Sequence, residues 1–253
     1  MSEIYRTPTV EWWKSQVGYT AGANKSNKYF ATLDSVSWYN GKKNNSGIDW
    51  CCGFYDCGIY ENVSDKSVNF GRSVVFEPNY DNCGAGCKQK VDYYKAKNAW
   101  YDKMSDACIG DEIFFWSSAY KSSLNPYGVY HTGAVVDWDD KGIYTVEGNV
   151  NGGKVADKFY AYGTGKVLGF GRPAWTAKDA PQPEPTPTPD PSPIKTYTVG
   201  VHSGSFLNVR TGAGTSYDKV GELYKGAVVT VFETNGNWAR ISGDLWVSMD
   251  YLR

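Results

Sequence analysis

Asp49-Trp50-Cys51-Cys52-Gly53-Phe54-Tyr55-Asp56-Cys57-Gly58-Ile59-Tyr60 is apolar on a helical period in spite of two glycines. The period predicts a helix that opens at Cys51. Unpaired amides and the helix dipole at a first turn stabilise a negative sulfur and depress its pKa. The same amides can hold the oxyanion that forms when sulfur adds to an amide carbonyl. Upstream, Thr7-Pro8-Thr9 can open a helix carrying Val10, Trp13 and Val17, and Asn24 or Ser26 can cap a second one through Tyr29, Phe30 and Leu33. Downstream come strands, at Ile113 to Trp116, His131 to Trp138, Ile143 to Val146 and near Leu168 to Gly171. Helices first and an antiparallel sheet afterwards make an α+β layout.

A cysteine nucleophile needs a base and a group that orients the base. The chain has two histidines, His131 and His202, and His202 lies near the other end of the sequence. His131, inside Tyr130-His131-Thr132-Gly133, would start a strand and take the proton from sulfur. Glu147 and Asn149, inside Val146-Glu147-Gly148-Asn149, are two apart on the next strand and would project to one side, where either could accept from the imidazole. The residues alone also allow a structural histidine and a core cysteine.

Composition narrows the partners. Among 253 residues, 41% are apolar and 16% aromatic, enough for one substantial core and a second smaller one. Charges of 26 against 27 leave a formal −1, which offers no electrostatic reason to expect nucleic acid or an anionic membrane. The first residues lack a basic segment followed by an apolar run, and no stretch is long and apolar enough to span a bilayer. The expectation is a monomer made in the cytoplasm without a signal peptide. Six cysteines, at 51, 52, 57, 83, 87 and 108, cannot all pair if Cys51 stays free, which favours reduced thiols.

Ala180 to Ile194 holds seven of the eleven prolines. Alternating proline favours polyproline II, a semi-rigid spacer of about 45 Å if extended. The chain therefore divides into residues 1–175, a linker at 176–195 and a tail at 196–253. The tail alternates short apolar runs with Gly212-Ala213-Gly214, Asn235-Gly236 and Ser242-Gly243-Asp244, the chemistry of hairpin turns, and so reads as a small all-β barrel.

Two resemblances extend these readings. Leu207-Asn208-Val209-Arg210-Thr211-Gly212, Gly214-Thr215-Ser216-Tyr217 and Gly236-Asn237-Trp238-Ala239-Arg240 make the tail similar to bacterial SH3-like domains, which implies attachment to the cell wall. Asp49 to Phe54, Ile109-Gly110-Asp111-Glu112-Ile113-Phe114-Phe115, His131-Thr132-Gly133-Ala134-Val135-Val136 and Tyr144-Thr145-Val146-Glu147-Gly148-Asn149 resemble, in order, the blocks of the CHAP family of papain-like cysteine- and histidine-dependent amidohydrolases and peptidases. That resemblance implies Cys51 as nucleophile, His131 as base, Glu147 as orienter and Asn149 as a further polar partner. It implies bacterial peptidoglycan as substrate and wall anchor, in the manner of a phage endolysin or an autolysin. The bond cut would be the muramoyl-L-alanine amide, or alternatively an amide of the stem peptide or cross-bridge. A catalytically inactive wall-binding protein is the reading from another class. Trp50, Trp116, Tyr130 and Trp138 are candidates for lining the substrate groove, although such aromatics also serve as core.

Other signals are set aside. Cys83-Gly84-Ala85-Gly86-Cys87 has no convincing partner pair for zinc, so a local disulfide or two unpaired thiols is expected there. Asn40 to Asp49 has too few carboxylates for calcium. Gly163-Thr164-Gly165-Lys166 lacks the spacing of a phosphate loop. No cofactor and no metal are expected.

Overall fold

Helix α3 (Cys51–Asn62) is buried on all sides from Cys51 to Tyr60, and the rest of the N-terminal unit is built around it. Its two glycines are what permit this. A Cβ on Gly53 would stand 2.3 Å from the ring of Phe30, and one on Gly58 would stand 2.0 Å from Trp13. The two rings therefore lie directly on the helix backbone, a contact worth more than the helix propensity that glycine gives up.

The computed structural model describes residues 1–40, 47–78, 86–176, 195–202, 204–242 and 245–253. The chain forms two compact units, Met1–Tyr160 with Lys166–Pro185, and Ala161–Gly165 with Thr186–Arg253. The expected proline linker, the Cys83 half of the Cys83/Cys87 pair and most of the loop considered for calcium lie outside the described residues.

In the first unit, α1 (Arg6–Ser15) and α2 (Lys28–Ser35) pack on α3. Val10 and Trp13 face inward as expected, but α1 stops before Val17, which is exposed. The cap of α2 is neither Asn24 nor Ser26. Asn27 takes that place, its side-chain oxygen accepting from the Phe30 amide at 2.8 Å. Two helices absent from the sequence reading follow, α4 (Val68–Val74) and α5 (Cys87–Ala96).

The strands are β1 (Trp100–Tyr101), β2 (Glu112–Trp116), β3 (Val129–Trp138), β4 (Gly142–Val150), β5 (Lys154–Ala161) and β6 (Val167–Gly171), in the order β1-β6-β2-β3-β4-β5. Pairing is antiparallel from β1 through β4, with Phe115 opposite His131 and Ala134 opposite Val146. Helix α3 packs on β3 and β4, so helices first and sheet second holds as an α+β layer arrangement. Strand β5 was not expected, because Val155 is its one buried residue and the stretch carries little of the apolar patterning by which strands are read.

The second unit is all-β. Strands β7 (Lys195–Thr198) and β10 (Val228–Val231) form one sheet. The other sheet runs β11-β12-β13-β8-β9, from β8 (Phe206–Arg210), β9 (Lys219–Tyr224), β11 (Glu233–Asn235), β12 (Trp238–Ser242) and β13 (Leu245–Ser248). Val201, Leu207, Val209, Val231, Ala239 and Val247 belong to its one small core.

Candidate active site

Cys51 is the first residue of α3. The preceding Trp50 makes no side-chain cap, so no side chain of that residue occupies the first-turn amides beside the sulfur. Strand β3 brings His131 to this helix end, where the imidazole and the Cys51 thiol interact electrostatically, each favouring the other's charged form. The other side of the ring is held by β4, with His131 Nε2 at 2.9 Å from Glu147 Oε2. That leaves Nδ1 for the sulfur. Eighty positions of sequence are closed by two secondary-structure contacts, α3 on β3 and β3 on β4.

Glu147 is itself fixed. Thr145 Oγ1 donates to Glu147 Oε1 at 2.6 Å, and burial, together with the charge of the same carboxyl group, raises the pKa of the Tyr160 hydroxyl on β5. Beneath the imidazole, the Phe115 ring lies 5.7 Å away and stacks on it. These contacts leave the imidazole one orientation, the role that a third member plays in a nucleophile-base pair.

The electrostatics favour an ion pair. Burial opposes a charged His131, but hydrogen bonds and charge from Cys51 and Glu147 outweigh it and raise the imidazole pKa to about 10. Cys51 is held well below the ordinary thiol range, first by hydrogen bonds from Cys52 and Cys87, then by His131, all against the opposing effect of burial. Cys52 and Cys87 are pushed up for the converse reason, each sharing its proton with Cys51. Burial also pushes Cys57 up. Of the three sulfurs on α3, Cys51 is the one poised as a thiolate.

Asn149 does not join the imidazole. It sits in the left-handed region with φ 63°, which turns its side chain away from the line that Glu147 follows, and its Nδ2 donates to Asp49 Oδ1 at 2.8 Å. Asp49 in turn takes a hydrogen bond from Lys25. The pair ties the end of β4 to the residues just before α3.

The aromatic candidates separate. Trp50 is 0% exposed and stacks on Tyr29 at 5.4 Å, so it belongs to the core and not to a groove. Trp138 lies seven residues along β3 from His131, about 23 Å at the rise of a strand, too far to touch a substrate at Cys51. Tyr130 is 43% exposed, adjoins the imidazole at 6.3 Å and stacks on Tyr120 at 4.8 Å. Half-buried Trp116 lies on the paired strand at the same end, with Lys121 above its ring. Sequence reasoning missed Tyr120, Tyr160, Thr145 and Cys87. Thr145 was within reach of the period-2 rule applied to Glu147, whereas the others come from segments that no local pattern connects to the site.

Residues 205–253 match the family model described as Bacterial SH3 domain. No curated protein matches the chain. Among solved structures, the crystal structure of Ly7917 superposes with a TM-score of 0.36 at 17% identity, over 96% of this chain and 92% of that one. The crystal structure of Ly7917 with the hydrolyzing product of MDP gives 0.34 at 16% identity, over 96% and 91%. Superpositions this loose carry no argument about chemistry. The second unit also bears an open groove of about 610 Å³, lined among others by His202, Phe206, Arg210, Trp238 and Tyr251. No helix among the described residues is long and apolar enough to cross a membrane.

Proposed function

We propose that the chain is a peptidoglycan hydrolase, in which the first unit cuts an amide with Cys51 and the second holds the wall. The observation that carries the reading is the Cys51–His131–Glu147 line, a thiol at an uncapped helix start in electrostatic contact with an imidazole whose Nε2 is fixed by a buried carboxyl group. In this reaction the Cys51 thiolate adds to the carbonyl carbon, and the first amides of α3 stabilise the resulting oxyanion. His131 then gives its proton to the leaving amine, and a water attacking the thioester returns a proton to the ring. Glu147 keeps the ring in one tautomer throughout.

The substrate class is supported by the bacterial SH3 match at 205–253 and by the resemblance of residues 8–173 to the CHAP family. Tyr130, beside the imidazole, and Tyr120, stacked on Tyr130, offer exposed apolar faces on which sugar or peptide can rest. The bond proposed is the amide between muramic acid and L-alanine, which every such wall contains. Tethering by the second unit raises the local concentration of the first at the wall without a new contact.

The test is loss of turbidity of cell-wall suspensions. Clearing by the full chain, abolished by Cys51→Ala and by a thiol alkylating agent, is the expected result. Clearing that survives both disproves a sulfur nucleophile. Mass spectrometry of the fragments identifies the bond: a new amino terminus on alanine supports the amidase, and one on a bridge residue replaces it with an endopeptidase.

A further inference from the structure

Cys87 opens α5, and its sulfur lies 3.4 Å from that of Cys52 and 3.8 Å from that of Cys51. All three Sγ atoms are within 4.8 Å of one another, and none of the three residues is in a disulfide. The pairing partner that the Cys83/Cys87 motif lacks in the sequence is thus supplied, for Cys87, by the Cys51-Cys52 pair. A tetrahedral zinc ion with thiolates at about 2.3 Å keeps its sulfurs about 3.8 Å apart. Two of the three edges of the cluster, 3.4 and 3.8 Å, are already close to that length, and the third is within 4.8 Å.

We infer that Cys51, Cys52 and Cys87 form a chelating site for a thiophilic divalent cation, Zn²⁺ or Cd²⁺, that captures the nucleophile and stops hydrolysis. Three soft donors and no carboxyl group select against calcium and magnesium, which want oxygen. Binding forms three metal–sulfur bonds. Cys51 enters as thiolate, while Cys52 and Cys87 each release one proton to solvent, so that three thiolates and the dication carry a net charge of −1. A water molecule fills the fourth position. A sulfur whose lone pair is given to the cation cannot add to a carbonyl. The cation is therefore an inhibitor and not a resident cofactor.

Inhibition rests on the proposed function, whereas binding does not, and two measurements separate them. The first follows Zn²⁺ by competition with a chromophoric chelator, and Cd²⁺ by its ultraviolet thiolate charge-transfer band, on the reduced full chain. One ion per chain is expected, weakened more than about tenfold in Cys87→Ser and unchanged in Cys108→Ser. The second is wall clearing. Zinc should stop it over the range in which zinc binds, a chelator should restore it, and Cys87→Ser, whatever its own zinc-free rate, should keep that rate at zinc concentrations that silence the parent. A reduced parent chain that binds no zinc, or a Cys87→Ser chain that binds it equally well, overturns the inference. Should Cys87→Ser fail to fold, the cadmium band of the parent decides: the intensity of three thiolates supports the site, and that of one or none refutes it. Zinc bound by a chain that clears no wall would leave the cation site standing and remove the hydrolase reading. Clearing that is indifferent to zinc would do the reverse.

Discussion

Helices α3 and α5 meet at two polar places, and the two are built on opposite principles. At their starts, Cys87 touches Cys51 and Cys52. One turn on, Lys90 of α5 bonds Asp56 of α3, with Glu77 and Glu112 at 3.4 and 3.3 Å from the same ammonium. There every acidic group has a second donor: Tyr39 on Asp56 at 2.5 Å, Trp38 on Glu77 at 2.8 Å and Tyr94 on Glu112 at 3.0 Å. Lys90, Asp56 and Glu112 are fully buried. The sulfur cluster has only weak S–H donors and an imidazole. Burial with complete hydrogen bonding makes a group inert and structural, whereas burial with weak bonding leaves its lone pair available. The same pair of helices is thus fixed by the first kind of cluster and left with open lone pairs by the second.

Removing the key cation or base from each place breaks the comparison most sharply. His131→Ala should slow wall clearing by about 10⁴-fold, some 5 kcal/mol of barrier, and leave the melting temperature close to that of the parent. Lys90→Met should do the opposite. It leaves buried Asp56 and Glu112 without their cation and Glu77 with Arg72 alone, at a cost of about 3–5 kcal/mol of stability, or roughly 10 °C in melting temperature. Calorimetry and turbidity on both variants give the answer. A Lys90→Met chain as stable as the parent would mean that the ionic cluster contributes nothing net.

The contrast also explains what could be read from the sequence. The helix at Cys51 and the choice of His131 over His202 were legible, because an apolar helical period and a scarcity of imidazoles restrict the options locally, whereas the residues alone left Glu147 and Asn149 both open as partners of the imidazole. Helix α5 was not. Its buried stripe is Lys90, Val91 and Tyr94, and a charged residue at the central inward position erases the apolar signal. Cys87 was read as half of a local pair because nothing in sequence spacing reports that its neighbours in space are 35 and 36 positions earlier. Asn149 was placed beside Glu147 by strand periodicity, which the positive φ at that residue cancels. Trp50 was offered to solvent, although the ring behind a nucleophile is also the ring that anchors its helix among Tyr19 and Tyr29.

A smaller effect sharpens the account of the reactive cluster. His131 stays charged up to about pH 10 in part because Glu147 bonds it. The productive pair of thiolate and imidazolium should therefore persist across neutral pH and be lost as pH rises through about 10. Glu147→Gln removes the acidic partner, so the alkaline limb of the clearing profile should move to lower pH, with a rate loss of about 10²-fold at neutrality. An alkaline limb that stays in place would show that Cys51 alone raises the imidazole.

The finest test lies in the sealed cluster and concerns pH. Burial raises the Glu112 pKa from 4.5 to about 8, with Lys90 working against that rise. An acid whose folded pKa exceeds its unfolded one binds more protons in the native state between those two values. Its contribution to stability is thus complete below about pH 4.5 and is lost as pH climbs through about 8. The slope reaches at most about 1.4 kcal/mol per pH unit. Glu112→Gln cannot titrate, and its single amide oxygen can still accept from one of Tyr94 and Thr132, which donate to the two carboxylate oxygens of Glu112 at 3.0 and 3.1 Å. Urea midpoints at about pH 5 and about pH 8 should therefore fall less in Glu112→Gln than in the parent. Equal falls would mean that Glu112 is already ionised in the native state and paired to Lys90. The two helices would then be held by a larger buried charge than the geometry of one ammonium can balance.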